Sequence, residues 1–277
     1  HCASDLPVAD PAETNSTNVD GTRAMLEAAR ERGIDRFIHI SSTAVYGIPD
    51  HHPLIESDEM IGVGPYGESK VQAEHVCIEA RDKGLTVSVL RPKSFVGPER
   101  LGAFELLYEF AADGHGFPVL GPGAHLYQLL AVAALNQAVY LCRHGEAEVV
   151  NSFFNSGAEP FASLRQSLQA VLDRAGFGKR IIGFPAARAI WTLRALEALH
   201  LSPLYKWIYE TAGKDSFVSI DKAKDRLGYK PEHSNEEALI RNYEWYLANR
   251  DRISAQTGVT HRVPWKKGAL AMLRWVI

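Results

Sequence analysis

The chain has 277 residues, with 30 Lys and Arg against 33 Asp and Glu, a net charge of -3, and 46% hydrophobic residues. That is enough chain for one large domain, or one and a half, with a sizeable core, and the slight acidity gives no electrostatic reason to expect nucleic acid. The cysteines, Cys2, Cys77 and Cys142, are scattered without a CxxC pair, which indicates neither a disulfide framework nor a zinc site. No apolar run reaches the length of a membrane span and no signal-peptide pattern opens the chain, so a reducing, cytosolic setting is expected.

The chain starts abruptly, and His1-Cys2-Ala3-Ser4 reads as the tail of a strand. Residues 11–33 read as a helix, with Val19, Met25, Leu26 and Ala29 on one side and Gly33 as its stop. A strand follows over 36–41, then a helix over 66–84 that starts after Pro65, then a strand over 85–90 closed by Arg91-Pro92. Strands separated by helices of this length predict βαβ crossovers and a parallel sheet. Further on, helices are predicted over 101–114, 130–142, 161–175, 186–199, 203–211, 221–227 and 236–249, and strands over 117–120 and 149–154. The one dinucleotide-like match, Gly62-Val-Gly64-Pro-Tyr-Gly67, follows a polar loop and carries Pro65, which removes an amide that a phosphate would need. It reads better as the entry to the Tyr66 helix.

The stretch from Ile38 to Lys70 carries the chemistry. Ser41 and Ser42 close the strand, while Tyr66 and Lys70 stand at i and i+4 and share one helix face. A phenol at that place can take a proton from a secondary alcohol, or return it, while hydride leaves or joins the same carbon. Free tyrosine, with a pKa near 10, is a poor base at neutral pH. An ammonium about 6 Å away, at an effective dielectric of about 20, stabilises phenolate by roughly 3 kcal/mol, or about two pKa units. Ser42 would hold the substrate oxygen at hydrogen-bond distance from the phenol. The competing reading is an ordinary amphipathic helix with a packed Tyr and a solvated Lys.

Several blocks occur in a fixed order: His1-Cys2-Ala3-Ser4, Asn18-Val-Asp-Gly-Thr22, Ser41-Ser-Thr-Ala-Val-Tyr-Gly47, Pro65-Tyr-Gly-Glu-Ser-Lys70, Leu90-Arg-Pro92 with Val96-Gly-Pro98, and Asp221 through Pro231. In these the chain resembles the extended short-chain dehydrogenase/reductases, the NAD-dependent epimerase/dehydratases. The resemblance implies the C-terminal part of a doubly wound parallel (Rossmann) sheet with a smaller α/β lid over the substrate. It implies Ser42, Tyr66 and Lys70 as catalytic residues, with NAD or NADP as cofactor. Cys2, Ala3, Ser4, Asn18, Ser41, Ser42, Tyr66, Lys70, Pro92 and Lys93 would line that cofactor, and Thr43 and Ser94 would face the substrate. Residues 1–100 would form a partial dinucleotide-binding domain, 101–250 mainly the lid with elements returning to the Rossmann part, and 251–277 an amphipathic tail. Family members open with a strand, a glycine loop and two further βα units, so roughly 60–70 residues are expected to precede His1. The chain as written is accordingly expected to bind a dinucleotide poorly and to be inactive alone.

Departures from the family pattern bear on the substrate. Thr43-Ala44 stands where sugar-nucleotide 4,6-dehydratases place an acidic pair, which disfavours dehydration. Ser94 replaces the Asn of sugar-nucleotide epimerases, Ala134 replaces an Asp, and no Arg lies between Gly121 and Val139 to clamp a diphosphate. Lys214 is present in the second clamp region without an Arg. The aromatic residues Phe153, Phe154, Phe161, Trp191, Tyr205, Trp207 and Tyr209 read first as core, but together with the absent arginines they keep a bulky, less charged substrate open. The tail 263–277 has Trp265 and Trp275 among Lys and Arg. It suits a peripheral membrane helix, or equally one docked on its own domain or in a homodimer; liposome cosedimentation with and without the tail separates these. Three readings stand: an oxidoreductase or epimerase at a secondary alcohol or ketone, on the pattern of the sugar-nucleotide epimerases; a dehydrogenase of hydrophobic hydroxy or keto compounds of the hydroxysteroid or dihydroflavonol kind; and a non-catalytic dinucleotide-binding protein.

Overall fold

The structure, a computed structural model, describes residues 1, 2, 4, 10–185 and 213–254. Its elements begin with helix α1 (Pro11–Asn15), a π turn (Ser16–Asp20), α2 (Gly21–Glu31), strand β1 (Arg36–Ile40), a 3-10 turn (Thr43–Tyr46), α3 (Gly64–Asp82), β2 (Thr86–Pro92) and the short β3 (Phe95–Val96). A second 3-10 turn (Gly102–Phe104) leads to α4 (Glu105–Ala112), β4 (Phe117–Leu120), β5 (Leu130–Ala131), α5 (Val132–His144), α6 (Ala147–Val150) and β6 (Phe153–Ser156). Then come α7 (Leu164–Ala175), β7 (Ile181–Phe184), α8 (Asp221–Leu227) and α9 (Asn235–Ser254). Two compact units result. The first combines His1–Phe95, Ala133–Ala158 and Phe217–Glu232, and the second Val96–Val132, Glu159–Ser216 and His233–Ile277.

In the first unit, β1, β2 and β6 form a parallel sheet in that order. The register sets Ile40 against Leu90 and Leu90 against Phe154, so the carboxyl ends of all three strands lie together. His1 continues the ladder on the far side of β1: its backbone nitrogen donates to the Ile38 carbonyl (2.8 Å) and its carbonyl accepts from Ile40 N–H (3.1 Å). That alternation is the bonding of a parallel neighbour. The apolar residues that predicted the strands and helices meet in one core of Val19, Leu26, Phe37, Val76, Cys77, Leu85, Val87 and Val89. Helix α3 starts with Pro65 in its first turn, behind extended Val63, where the missing proline N–H leaves no bond unmade. It stops ahead of Gly84, whose φ of +90° ends the helical run.

The boundaries differ from the sequence reading at particular places. The helix over 11–33 is interrupted by the π turn at Ser16–Asp20. The apolar run 149–154, read as one strand, divides into α6 and β6. Asn151 turns the chain between them, its side-chain oxygen accepting from Val87 N–H at 2.9 Å, while Ser152 N–H bonds the Val150 carbonyl. The helices expected over 186–199 and 203–211, and the tail beyond residue 254, lie outside the described residues, as do the aromatic residues on them.

The second unit pairs β4 with β7 in parallel, Phe117 opposite Ile181 and Leu120 opposite Phe184. Its core gathers Leu101, Leu107, Tyr108, Leu129, Leu168, Val171, Leu172, Leu239, Tyr243 and Tyr246. Helix α7 begins at a capping box in which Ser163 Oγ accepts from Gln166 N–H and the Gln166 side chain reaches back to Ser163. Among the described residues, no helix is long and apolar enough to cross a membrane.

Candidate active site

Two elements of the first unit carry the predicted reaction centre: the carboxyl end of β1 and the opening turns of α3. Ser42 leaves the strand in extended conformation (φ -159°, ψ 151°), and its Oγ accepts from Ala44 N–H at 3.1 Å, which caps the 3-10 turn. Its hydroxyl proton is therefore still available to donate. On α3 the i, i+4 spacing brings Lys70 Nζ to 5.8 Å from the Tyr66 ring centroid. The same ammonium lies 3.5 Å from the carbonyl of Ile40, two residues before Ser42. Lys70 thus joins the tyrosine on the helix to the strand end that presents the serine.

Lys70 is 2% exposed while Tyr66 is half-buried. Burial pushes the lysine pKa down to about 8, against the pull of Glu74, Cys77 and Cys2. Below that pH it carries its charge beside the phenol. A lysine ammonium has three N–H donors, and the Ile40 carbonyl is the one hydrogen-bond acceptor it meets among the described residues. Donors remain for an outside hydroxyl.

Beneath this pair runs a buried polar network. Ser41 Oγ donates to Glu74 Oε1 at 2.5 Å. Arg91 grips the same carboxylate, Nη2 to Oε2 at 2.6 Å and Nε to Oε1 at 3.0 Å. Arg91 Nη1 also donates to the Tyr46 hydroxyl (2.9 Å), which in turn donates to Asn155 Oδ1 (2.7 Å). Glu74 and Asn155 are fully buried, with Arg91 and Tyr46 each 2% exposed. Desolvation raises the Tyr46 phenol to about 12, so it stays protonated and keeps donating. In the sequence Arg91 stands out only as part of a motif, and Glu74 does not stand out at all. The available signal was a Glu at i+8 from Tyr66 on its helix face, with an Arg ending the apolar run of β2.

Of the other predicted residues, Asn18 sits in the π turn, a helix irregularity common at functional sites. It is buried, and its Nδ2 donates to Ser69 Oγ at 2.9 Å, fixing the first helix to the turn that carries Tyr66. Asn18→Ala is expected to cost about 1–3 kcal/mol, read by denaturant unfolding, since Thr22 and Ser69 are also buried there. Cys2 and Ser4 are exposed, and Ala3 lies outside the described residues. Pro92 is buried at the end of β2, where its carbonyl lies 3.5 Å from Thr43 Oγ1. Lys93 is buried, its backbone N–H bonded to the Ser156 carbonyl and its ammonium pushed down to about 8 by desolvation; Ser94 is exposed. His39 is buried behind the strand end and pushed down to about 3, chiefly by desolvation and then by Lys70, so it is neutral. Neither of its ring nitrogens has a hydrogen-bond partner among the described residues.

The glycine match at 62–67 is structural. Gly62 has φ +60°, its N–H bonds the Val45 carbonyl, and a Cβ there would stand 3.0 Å from Glu68 N. Glycine is required for the loop to close on the first turn of α3.

The sequence profile of the NAD dependent epimerase/dehydratase family matches residues 3–157. The chain belongs to that family. Among curated relatives, the uncharacterized protein y4nG of Sinorhizobium fredii is 33% identical over 265 residues, 95% of this chain and 66% of the relative. The dTDP-glucose 4,6-dehydratase of Streptomyces antibioticus is 27% identical over 252 residues, 89% of this chain and 68% of the relative. The chain therefore spans about two thirds of the length of these relatives. Among solved structures, UDP-glucuronic acid 4-epimerase from Bacillus cereus, in complex with NAD, superposes with a TM-score of 0.71 at 20% identity, covering 89% of this chain and 72% of that one. That likeness shows the fold: this family member has a Rossmann-like α/β architecture built on a parallel sheet.

Proposed function

We propose that this protein is an NAD- or NADP-dependent oxidoreductase or epimerase acting at a secondary alcohol or ketone, on the pattern of the sugar-nucleotide epimerases. The observation that carries the reading is the Lys70 ammonium, 5.8 Å from the Tyr66 ring and 3.5 Å from the strand end that bears Ser42. Lys70 fits the ribose beside a nicotinamide, because its remaining N–H donors suit hydroxyl acceptors. In this reading Ser42, Cys2 and Ser4 line the same cofactor, the last two from the segment that follows His1. The nicotinamide, when bound, accepts or returns hydride. The protein's part is the proton: Tyr66 takes it from the substrate hydroxyl or gives it to the carbonyl, Ser42 orients that oxygen by donating to it, and the Lys70 charge favours the phenolate.

Thr43 and Ala44 follow Ser42, and neither side chain ionises, so this segment supplies no acid/base pair to eliminate water. The reading is therefore redox or epimerisation rather than 4,6-dehydration. A second reading has its own support: Ile48, Ile55, Ile61 and Val63 are exposed on the segment between the 3-10 turn and α3, where apolar contact would suit a hydrophobic hydroxy or keto compound. The test is a screen of the full-length protein with NAD and NADP against sugar nucleotides and hydroxysteroids, following nicotinamide absorbance and product configuration. Turnover of sugar nucleotides supports the first reading and turnover of steroids alone the second. Cofactor binding without hydride transfer to either class would overturn both in favour of a non-catalytic dinucleotide-binding protein.

A further inference from the structure

The buried pair Glu74–Arg91 has no part in the proton and hydride chemistry described above, yet it lies directly under the residues that do. Tyr66, Lys70 and Glu74 follow at intervals of four on α3, so one helix face carries phenol, ammonium and carboxylate in succession. The end of β1 is tied to that face twice, at consecutive residues: the Ile40 carbonyl to Lys70 and the Ser41 hydroxyl to Glu74. Ser42 comes next.

We propose that Glu74, held by Arg91, is a positioning residue for the reaction centre: it fixes the strand end that presents Ser42 and supplies the negative charge that faces Lys70. This rests on the catalytic reading of Ser42, Tyr66 and Lys70. The geometry shows how the carboxylate can serve both ends. Three N–H···O contacts from Arg91, between 2.6 and 3.1 Å, lock its orientation, leaving Oε1 to accept from Ser41. Such a charge-assisted fork is rigid, and Arg91 itself is braced by the Tyr46 hydroxyl and the Glu56 carbonyl. A shift of the strand end would displace Ser42 relative to Tyr66, and misplacement by about 1 Å can cost about a hundredfold in rate.

The groups facing Lys70 are the Tyr66 phenol, Glu74 and Cys77 from its own helix, Cys2 from the first segment and His39 from β1. His39 is neutral, and burial holds the Cys77 thiol up at about 12, so neither is charged near neutral pH. Glu74 is thus the foremost charge that opposes the desolvation of Lys70. Without it the ammonium would be lost at lower pH.

The test uses full-length protein in two variants, Glu74→Gln and the apolar pair Glu74→Leu/Arg91→Met, the second chosen to keep a packed fold if the first leaves Arg91 uncompensated. Lysine ε-13C spectra follow the titration of Lys70, assigned by its absence in Lys70→Met, and need no substrate. Glu74→Gln is expected to lower the Lys70 midpoint by about one pH unit, and the double variant to lower it by less, because it removes the Arg91 cation along with the carboxylate. On whichever sugar nucleotide or hydroxysteroid the native protein turns over, kcat should fall about tenfold or more with KM nearly unchanged. A folded variant with the native Lys70 midpoint and native kcat would overturn the proposal. Failure of the catalytic reading looks different: the native protein would transfer no hydride, or Tyr66→Phe would match it, whatever the Glu74 variants do.

Discussion

Tyr66→Phe is expected to lower kcat by about 10²–10⁴-fold while leaving cofactor affinity close to native. The phenol is the one group on the opening turn of α3 that can carry a proton between substrate and protein. Phenylalanine keeps the ring and its packing beside Lys70 and removes only the hydroxyl. Cofactor affinity should survive because Lys70, the residue proposed to hold the ribose, keeps its burial and its contact with the Ile40 carbonyl. Lys70 also sets a direction for pH. With its pKa pushed down to about 8, its charge is complete well below that pH and disappears as pH rises through it, so support for the phenolate weakens on that limb. Steady-state rates and cofactor titrations on the two proteins check the prediction. Loss of cofactor binding with native chemistry would contradict it.

The second large effect concerns stability. Arg91→Met is expected to cost about 3–5 kcal/mol, because it leaves the fully buried Glu74 carboxylate without its cation. That is a large part of the roughly 5–15 kcal/mol by which domains are stable. Arg91 also donates to Tyr46 and to the Glu56 carbonyl, so its removal orphans further acceptors. Replacing both partners, Glu74→Leu with Arg91→Met, should recover most of the loss, since two apolar side chains leave no buried charge. Denaturant midpoints of the single and double variants measure this. A double variant as unstable as the single one would show that the pair's hydrogen bonds, rather than its uncompensated charge, dominate.

Much of the site was legible because its determinants are local. The i, i+4 spacing of Tyr66 and Lys70, Pro65 at the helix start and Ser42 at the strand end all follow from rules spanning a few residues. The parallel sheet followed from alternating apolar runs and helices of crossover length. What stayed hidden depends on long-range partners. Ser41 meets Glu74 across 33 residues, and Tyr46 meets Asn155 across 109. Helix α3 buries Ser69, Lys70 and Glu74 along with Ala73, Val76 and Cys77, so polarity does not mark its solvent side and the buried carboxylate could not be told from a surface one. The division of 149–154 into α6 and β6 likewise hinges on Asn151 reaching Val87 of another strand. Strand β7 carries little local signal, because its partner β4 lies more than 60 residues earlier and three of its four residues are exposed.

The central claim is that Ser42 and Tyr66 act on the same substrate oxygen. A double-mutant cycle on hydride transfer in single turnovers of the full-length protein, with Ser42→Ala, Tyr66→Phe and their combination, tests it most directly. Groups that act as a unit should be strongly non-additive, the double variant falling little below Tyr66→Phe alone. Fully additive losses, or a Ser42→Ala variant with native rate, would contradict the account.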